Sequence, residues 1–101
     1  MTFPVARISE LHRHVGQTVT VRGWVTHLRS SGKVAFVVMR DGTGGMQGVV
    51  VKNVVGPEGW EAFGALTLET SLAVTGEVRA EPRAPGGHEL GVQALAVIGP
   101  S

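Results

Sequence analysis

Apolar residues at Val19, Val21 and Val25 recur at two-residue spacing over much of Val19–Arg29, the mark of a half-buried strand. Gly23 interrupts the run where a long, bent strand needs a coil or bulge. Val34–Met39 and Gly45–Val51 are β-branched runs and predict two more strands. Ser71–Ala80 alternates again through Leu72, Val74, Gly76 and Val78, and Leu90–Ile98 predicts a last strand stopped by Gly99-Pro100. Two segments break this period. Ile8–Val15 predicts one or two helical turns, with Ser9 as N-cap, Glu10 in the first turn and Gly16 as the stop. Pro57–Leu66 opens on a proline, carries early acids and brings Trp60 and Phe63 to one face, which predicts a short helix. Its glycines make it weak alone, so it must be held by packing of Trp60 and Phe63 on the sheet.

The connections are turns and loops: Ser30–Lys33, Asp41-Gly42 and Glu81–His88. The stretch RDGTGGMQGVV, 40–50, is rich enough in glycine to suggest a phosphate cradle. A cradle of that kind needs a helix to begin directly after it, so that amides and the helix dipole face the anion. Here a strand pattern follows, and Gln47 stands where the motif's last glycine would be. The segment therefore reads as a hairpin turn opened by Asp-Gly, with Arg40 beside Asp41 pinning it. The resulting order is three strands, a helix, then two strands, after an N-terminal helical turn. That is the plan of an all-β OB-fold, a five-stranded Greek-key barrel whose second and third strands commonly bind oligonucleotides.

Composition narrows the class. At 101 residues the chain is read as one domain, 1–101. Fifteen glycines and only 17% charged residues suit short strands and tight turns. The absence of cysteine and of a long apolar run predicts neither a disulfide framework nor a membrane span, and the start shows no signal pattern; a cytoplasmic location is expected. The net charge of +1 hides an asymmetry, because residues 1–40 carry six Lys/Arg against Glu10 alone. Such a basic front half suits a polyanion, and it contains the strands that an OB-fold uses for binding.

Individual residues supply candidate chemistry. Single-stranded RNA is read by stacking bases on aromatic or guanidinium planes and bonding their pairing edges. In the second strand Val34, Phe36 and Val38 share one face and Ala35, Val37 and Met39 the other; both faces are apolar, so parity alone leaves open which one looks out. An outward Phe36 would be a stacking platform. Gln47 offers a donor and an acceptor that suit the edge of uracil, and Arg29 and Lys33 can neutralise phosphates. Trp24 is expected to pack at the barrel edge. His12 and His14 lack partners at metal-ligand spacing, and His27 with Ser30 or Ser31 lacks a third partner and an oxyanion loop; neither a metal site nor a catalytic residue is assigned.

Gly23-Trp24-Val25, Arg29, Gly32-Lys33, Phe36, Arg40-Asp41-Gly42-Thr43-Gly44 and Gln47 together resemble the N-terminal anticodon-binding domain of asparaginyl- and aspartyl-tRNA synthetases. Thr75-Gly76-Glu77-Val78 and Ala84–Leu90 extend the likeness over nearly the whole chain, and the APGG turn is closer to asparaginyl and archaeal-type aspartyl enzymes. The resemblance implies that Phe36 stacks on the central anticodon uridine, that Gln47 bonds it and that Arg29 supports the contact. His27 and Leu28 depart from the family's pattern, and His27 is kept among the RNA-facing candidates. The resemblance further implies a tRNA anticodon loop as partner and a catalytic domain of a homodimeric class II enzyme, which would use ATP and Mg²⁺; no cofactor is expected in this domain and aminoacylation is not expected of this chain by itself. A non-discriminating aspartyl enzyme is the alternative parent. A free-standing single-strand binder, or a protein-interaction barrel if Phe36 is buried, are the alternative classes.

Overall fold

The computed structural model describes residues 3–99; Met1 and Thr2, part of the start without a signal pattern, and Pro100, half of the expected stop, lie outside them. Five strands close into a barrel: β1 (Thr18–Ser31), β2 (Val34–Arg40), β3 (Gly45–Val51), β4 (Ser71–Ala80) and β5 (His88–Gly99), in the spatial order β1-β2-β3-β5-β4. Neighbours are antiparallel except β3 and β5, which run parallel from Gln47 beside Glu89 to Val50 beside Val92. This is the five-stranded Greek-key OB barrel that the element order predicts. β1 and β5 outrun their predicted spans because ladder pairing continues past the apolar alternation. Within the expected loop 81–88, Pro85–Gly87 forms one 3-10 turn and His88 already belongs to β5.

The core is the inward half of each alternation. Ala35, Val37 and Met39 of β2 meet Met46 and Val50 of β3, Leu72, Val74 and Val78 of β4, and Leu90 and Val92 of β5, all almost without solvent contact. β1 is shared: Thr18–Trp24 pairs with β4, and Trp24–Ser31 with β2. The bulge expected at Gly23 sits instead at Thr26, which is skipped between the pairs Val25 with Met39 and His27 with Val38. Gly23 serves a different need, because a Cβ there would collide with the Arg40 carbonyl oxygen where β1 passes from one partner strand to the other. The bulge matters for the outer surface. Val19, Val21 and Val25 point inward at odd positions, and the extra residue shifts the alternation so that Leu28 turns toward the core while His27 and Arg29 face solvent.

Helix α1 (Lys52–Gly64) follows β3 directly, five residues before the predicted start. It breaks at Gly56, whose φ of 75° lies in the left-handed region, and resumes at Pro57, so the proline opens the second half rather than the whole element. Trp60 and Phe63 stack with centroids 6.0 Å apart and pack with Val55 against the core. No residue of α1 is fully buried. It is a lid held from one side, as its glycines require. Among the described residues, no helix is long and apolar enough to cross a membrane.

The other end of the barrel is plugged by a 3-10 helix, Ile8–Arg13, which inserts Leu11 and Ile8. Ser9 is inside this helix and does not cap it; the N-cap position is Arg7, whose side chain makes no capping bond, and the helix ends at Arg13 ahead of Gly16. The caps come from the β2–β3 turn. Asp41 Oδ2 accepts the Ile8 amide at 2.8 Å, Thr43 Oγ1 accepts the Ser9 amide at 3.1 Å, and Asp41 Oδ1 accepts from the Thr43 amide and hydroxyl at 2.8 and 2.6 Å. Asp41, not the exposed Arg40, therefore pins the turn, and it fastens the plug to β2 as well. A local side chain could not do this as well, since a 3-10 turn this short has no stability of its own.

These bonds have a pH consequence. Partial burial raises the pKa of Asp41, but hydrogen bonds from the Thr43 hydroxyl and from the amides of Ile8, Thr43 and Gly44 outweigh it and hold the carboxyl below its ordinary value. With the folded pKa depressed, the carboxylate contributes stability above the unfolded value of about 4, and that contribution is lost as pH falls through the folded pKa. Asp41→Asn should thus destabilise the domain at neutral pH, and the gap to the parent should narrow below about pH 4 in urea unfolding. A gap independent of pH would show that the carboxylate charge has no part in it.

Candidate nucleic-acid interface

On β2 the inward set is Ala35, Val37 and Met39, so the ambiguous parity is decided and Phe36 faces outward, half-buried. Across the outer face the side chains stand in rows. Gln47 of β3, Val38 of β2 and His27 of β1 form one row; Val49, Phe36 and Arg29 form the next. Gln47 is thus diagonal to Phe36, within reach of a flat group lying on the ring. The two rows enclose an open cleft of about 330 Å³ lined by His27, Leu28, Arg29, Phe36, Val38 and Gln47. Four of the five expected residues meet there. The fifth, Lys33, is outside the cleft, exposed in the turn just beyond the Phe36 row, where its carbonyl oxygen accepts the Lys52 amide at 2.9 Å.

The cleft has the parts that base recognition needs. The Arg29 guanidinium carbon lies 4.7 Å from the Phe36 ring centroid, a cation–π contact that holds the arginine over the platform. An incoming base must therefore displace that guanidinium or stack with it, and both leave the positive charge beside the nucleotide. Among the described residues the Gln47 carboxamide has no protein hydrogen-bond partner, so its donor and acceptor are available to a ligand. Leu28 and Val38 add apolar walls that were not singled out from the sequence; the period-two reading of β2 placed Val38 beside Phe36, whereas Leu28 depends on the Thr26 bulge. Trp24 is 39% exposed and stands away from the cleft on the outer side of β1, paired with Arg40 and Ser71.

A second, somewhat larger cleft of about 360 Å³ lies where the 3-10 plug, the β2–β3 turn and the β4–β5 turn meet, with Ser9, His12, Arg40, Thr43 and His88 among its walls. Size does not make it the better candidate. It has no phenyl or indole ring among its lining residues, only the imidazoles of His12 and His88, and three separate turns build it, which is why nothing in the sequence pointed to it.

The family model described as an OB-fold nucleic acid binding domain, tRNA anti-codon, matches residues 19–98. The chain belongs to this family. Among similar proteins, the asparagine–tRNA ligase of Koribacter versatilis (strain Ellin345) is 53% identical over 95 residues, 94% of this chain and 22% of the ligase. That of Chloroflexus aurantiacus (strain ATCC 29366) is 46% identical over 98 residues, 97% of this chain and 22% of the ligase. The crystal structure of asparaginyl-tRNA synthetase from Pyrococcus horikoshii complexed with asparaginyl-adenylate superposes with a TM-score of 0.87 at 41% identity, covering 95% of this chain and 22% of that one. This anti-codon domain thus spans about a fifth of the length of the relatives it matches, and its likeness to asparaginyl enzymes runs through both sequence and fold.

Proposed function

We propose that the domain binds the anticodon loop of a tRNA and seats its central uridine on Phe36, with Gln47 bonding the pyrimidine edge and Arg29 and Lys33 serving the adjacent phosphates. The single observation that carries this reading is the outward Phe36 sharing one cleft with Arg29 and Gln47. One aromatic platform suits one extruded base, whereas a nonspecific single-strand binder stacks several bases along a groove. Phe36 is the one phenyl or indole ring among the described residues that line the cleft, with the smaller imidazole of His27 at its border. In this reading the domain is the recognition arm of a homodimeric, cytoplasmic class II asparagine–tRNA ligase, whose catalytic body would use ATP and Mg²⁺. His27 borders the same cleft and would contact the loop beside the seated base. Because asparagine and aspartate anticodons share the central uridine, the Phe36–Gln47 seat serves a relaxed aspartyl enzyme equally well.

Binding of the 101-residue chain to anticodon stem-loops carrying each of the four bases at the central position tests the proposal. The parent should prefer uridine, and Gln47→Ala should flatten that preference, since one well-formed set of base-edge bonds is worth about 1–3 kcal/mol of discrimination. Equal affinity of the parent for all four loops would overturn it.

A further inference from the structure

β1 changes partner in mid-strand, and the change leaves one residue out of register. Its ladder with β4 ends at Trp24 and Ser71, and the loop before β4 carries it one residue further. The Val25 amide donates to the Thr70 carbonyl oxygen at 3.0 Å, and the Val25 carbonyl oxygen accepts the Glu69 amide at 2.7 Å. On its other edge Val25 pairs with Met39. Val25 is therefore held from both sides, without solvent contact, and the strand cannot shift there. The loop that holds it is itself fixed, because the buried Thr70 hydroxyl accepts the Thr67 amide at 3.2 Å and bonds with the Thr67 hydroxyl at 3.0 Å. Glu69 is kept at a φ of 68°, and among the described residues no other non-glycine has a positive φ. A glutamate adopts that left-handed conformation only when its surroundings impose it. Thr26, the first residue beyond this clamp, is the one that the β1–β2 ladder skips.

The register shows what the skip decides. Uninterrupted pairing onward from Val25 and Met39 would set Leu28 opposite Phe36 and turn Arg29 toward the core beside Ala35. With Thr26 skipped, His27 stands opposite Val38 and Arg29 opposite Phe36, its guanidinium carbon 4.7 Å from the ring centroid. The place of Arg29 in the cleft is thus decided earlier in the strand. A bulged residue is left out of the ladder, yet Thr26 is not without a link to β2: its hydroxyl donates to the Val38 carbonyl oxygen at 3.2 Å, at the first pair after the skip. We infer that Thr26 is a positioning residue for RNA binding, its hydroxyl locking the bulge in the register that sets Arg29 over Phe36. The effect on RNA rests on the reading of the cleft given above, whereas the register stands on strand pairing alone. Thr26 acts through Arg29 and needs no contact with the nucleotide.

The test compares Thr26→Val, which keeps the branched shape and loses the hydroxyl, with Thr26→Ser, which keeps the hydroxyl, in the 101-residue chain. Protons of an arginine side chain held over an aromatic ring resonate upfield, so the Arg29 signals report the register in the free domain. Phe36→Ala removes the ring and identifies the displacement. Thr26→Ser should keep the upfield displacement and Thr26→Val should lose most of it. Its retention in Thr26→Val, or its loss in Thr26→Ser as well, would overturn the inference. Thermal melts verify that each variant is folded, and Thr26→Ala repeats the measurement should Thr26→Val fail to fold. Stem-loop titrations over a range of salt follow the consequence for binding. Arg29→Ala and Thr26→Val should each reduce the slope of log affinity against log salt by about one. Adding Thr26→Val to Arg29→Ala should lower neither slope nor affinity further, because a residue that acts through another has no effect once the other is gone. Additive losses would give Thr26 a contact of its own and overturn the inference. Absence of stem-loop binding by the parent counts against the RNA reading of the cleft, and the Arg29 signals still decide the positioning.

Discussion

Phe36→Ala should weaken binding of an anticodon stem-loop by about 1–3 kcal/mol, a loss of about five- to 150-fold in affinity, while barely moving the unfolding midpoint. The asymmetry follows from where the ring sits. Phe36 is outside the barrel, so its removal leaves no cavity among Ala35, Val37 and Met39, and its contact with Arg29 is of the exposed cation–π kind, worth about 0.5–1 kcal/mol. The ring's apolar face is instead reserved for whatever lies on it. Titrating labelled stem-loop with parent and variant, alongside a thermal melt of each, measures both halves. Unchanged affinity would remove the platform from the mechanism; a large fall in stability would mean that the residue belongs to the core.

Leu11→Ala should have the opposite profile, a loss of about 2–5 kcal/mol in stability with retained stem-loop affinity in the folded protein. Leu11 is 2% exposed and is the most deeply buried side chain that the N-terminal 3-10 helix inserts into the barrel. This helix has no side-chain cap of its own, and its anchors are Leu11, Ile8 and the bonds from Asp41 and Thr43. Truncating the leucine removes apolar burial and leaves a void under a turn too short to collapse into it. For a domain of this size the midpoint should fall by at least about 8 °C. A loss below about 1 kcal/mol would mean that the plug is dispensable and that the mouth of the barrel tolerates water. The outer cleft lies on strands that do not depend on Leu11 for their pairing, which is why binding should survive.

Much of this was legible before any coordinates. β2 and β3 lie where their β-branched runs place them and β4 where the two-residue period does, because β-branched side chains suit a pleated surface and a strand buried on one face must alternate. Trp60 and Phe63 cover the barrel from a glycine-weakened helix, as expected, but that helix starts at Lys52, since the chain turns helical as soon as β3 loses its ladder partners. The boundaries of β1 and β5 were less legible, being set by pairing rather than by pattern. Ser9 looked like a cap and is not one, because a capping bond depends on which oxygen arrives first in space, and the carboxylate of Asp41 arrives from 33 residues away.

Sequence alone determined the order of elements, the alternating apolar half of β1 and β4, and the presence of an aromatic, a carboxamide and basic groups on neighbouring strands. It could do so because periodicity and turn chemistry are local properties of the chain. Only the tertiary structure decided that Phe36 faces solvent and that Thr26 is the skipped residue that turns His27 and Arg29 to the same side. Those outcomes depend on register between distant strands, and a one-residue change in register exchanges inside for outside without altering a single letter of the sequence.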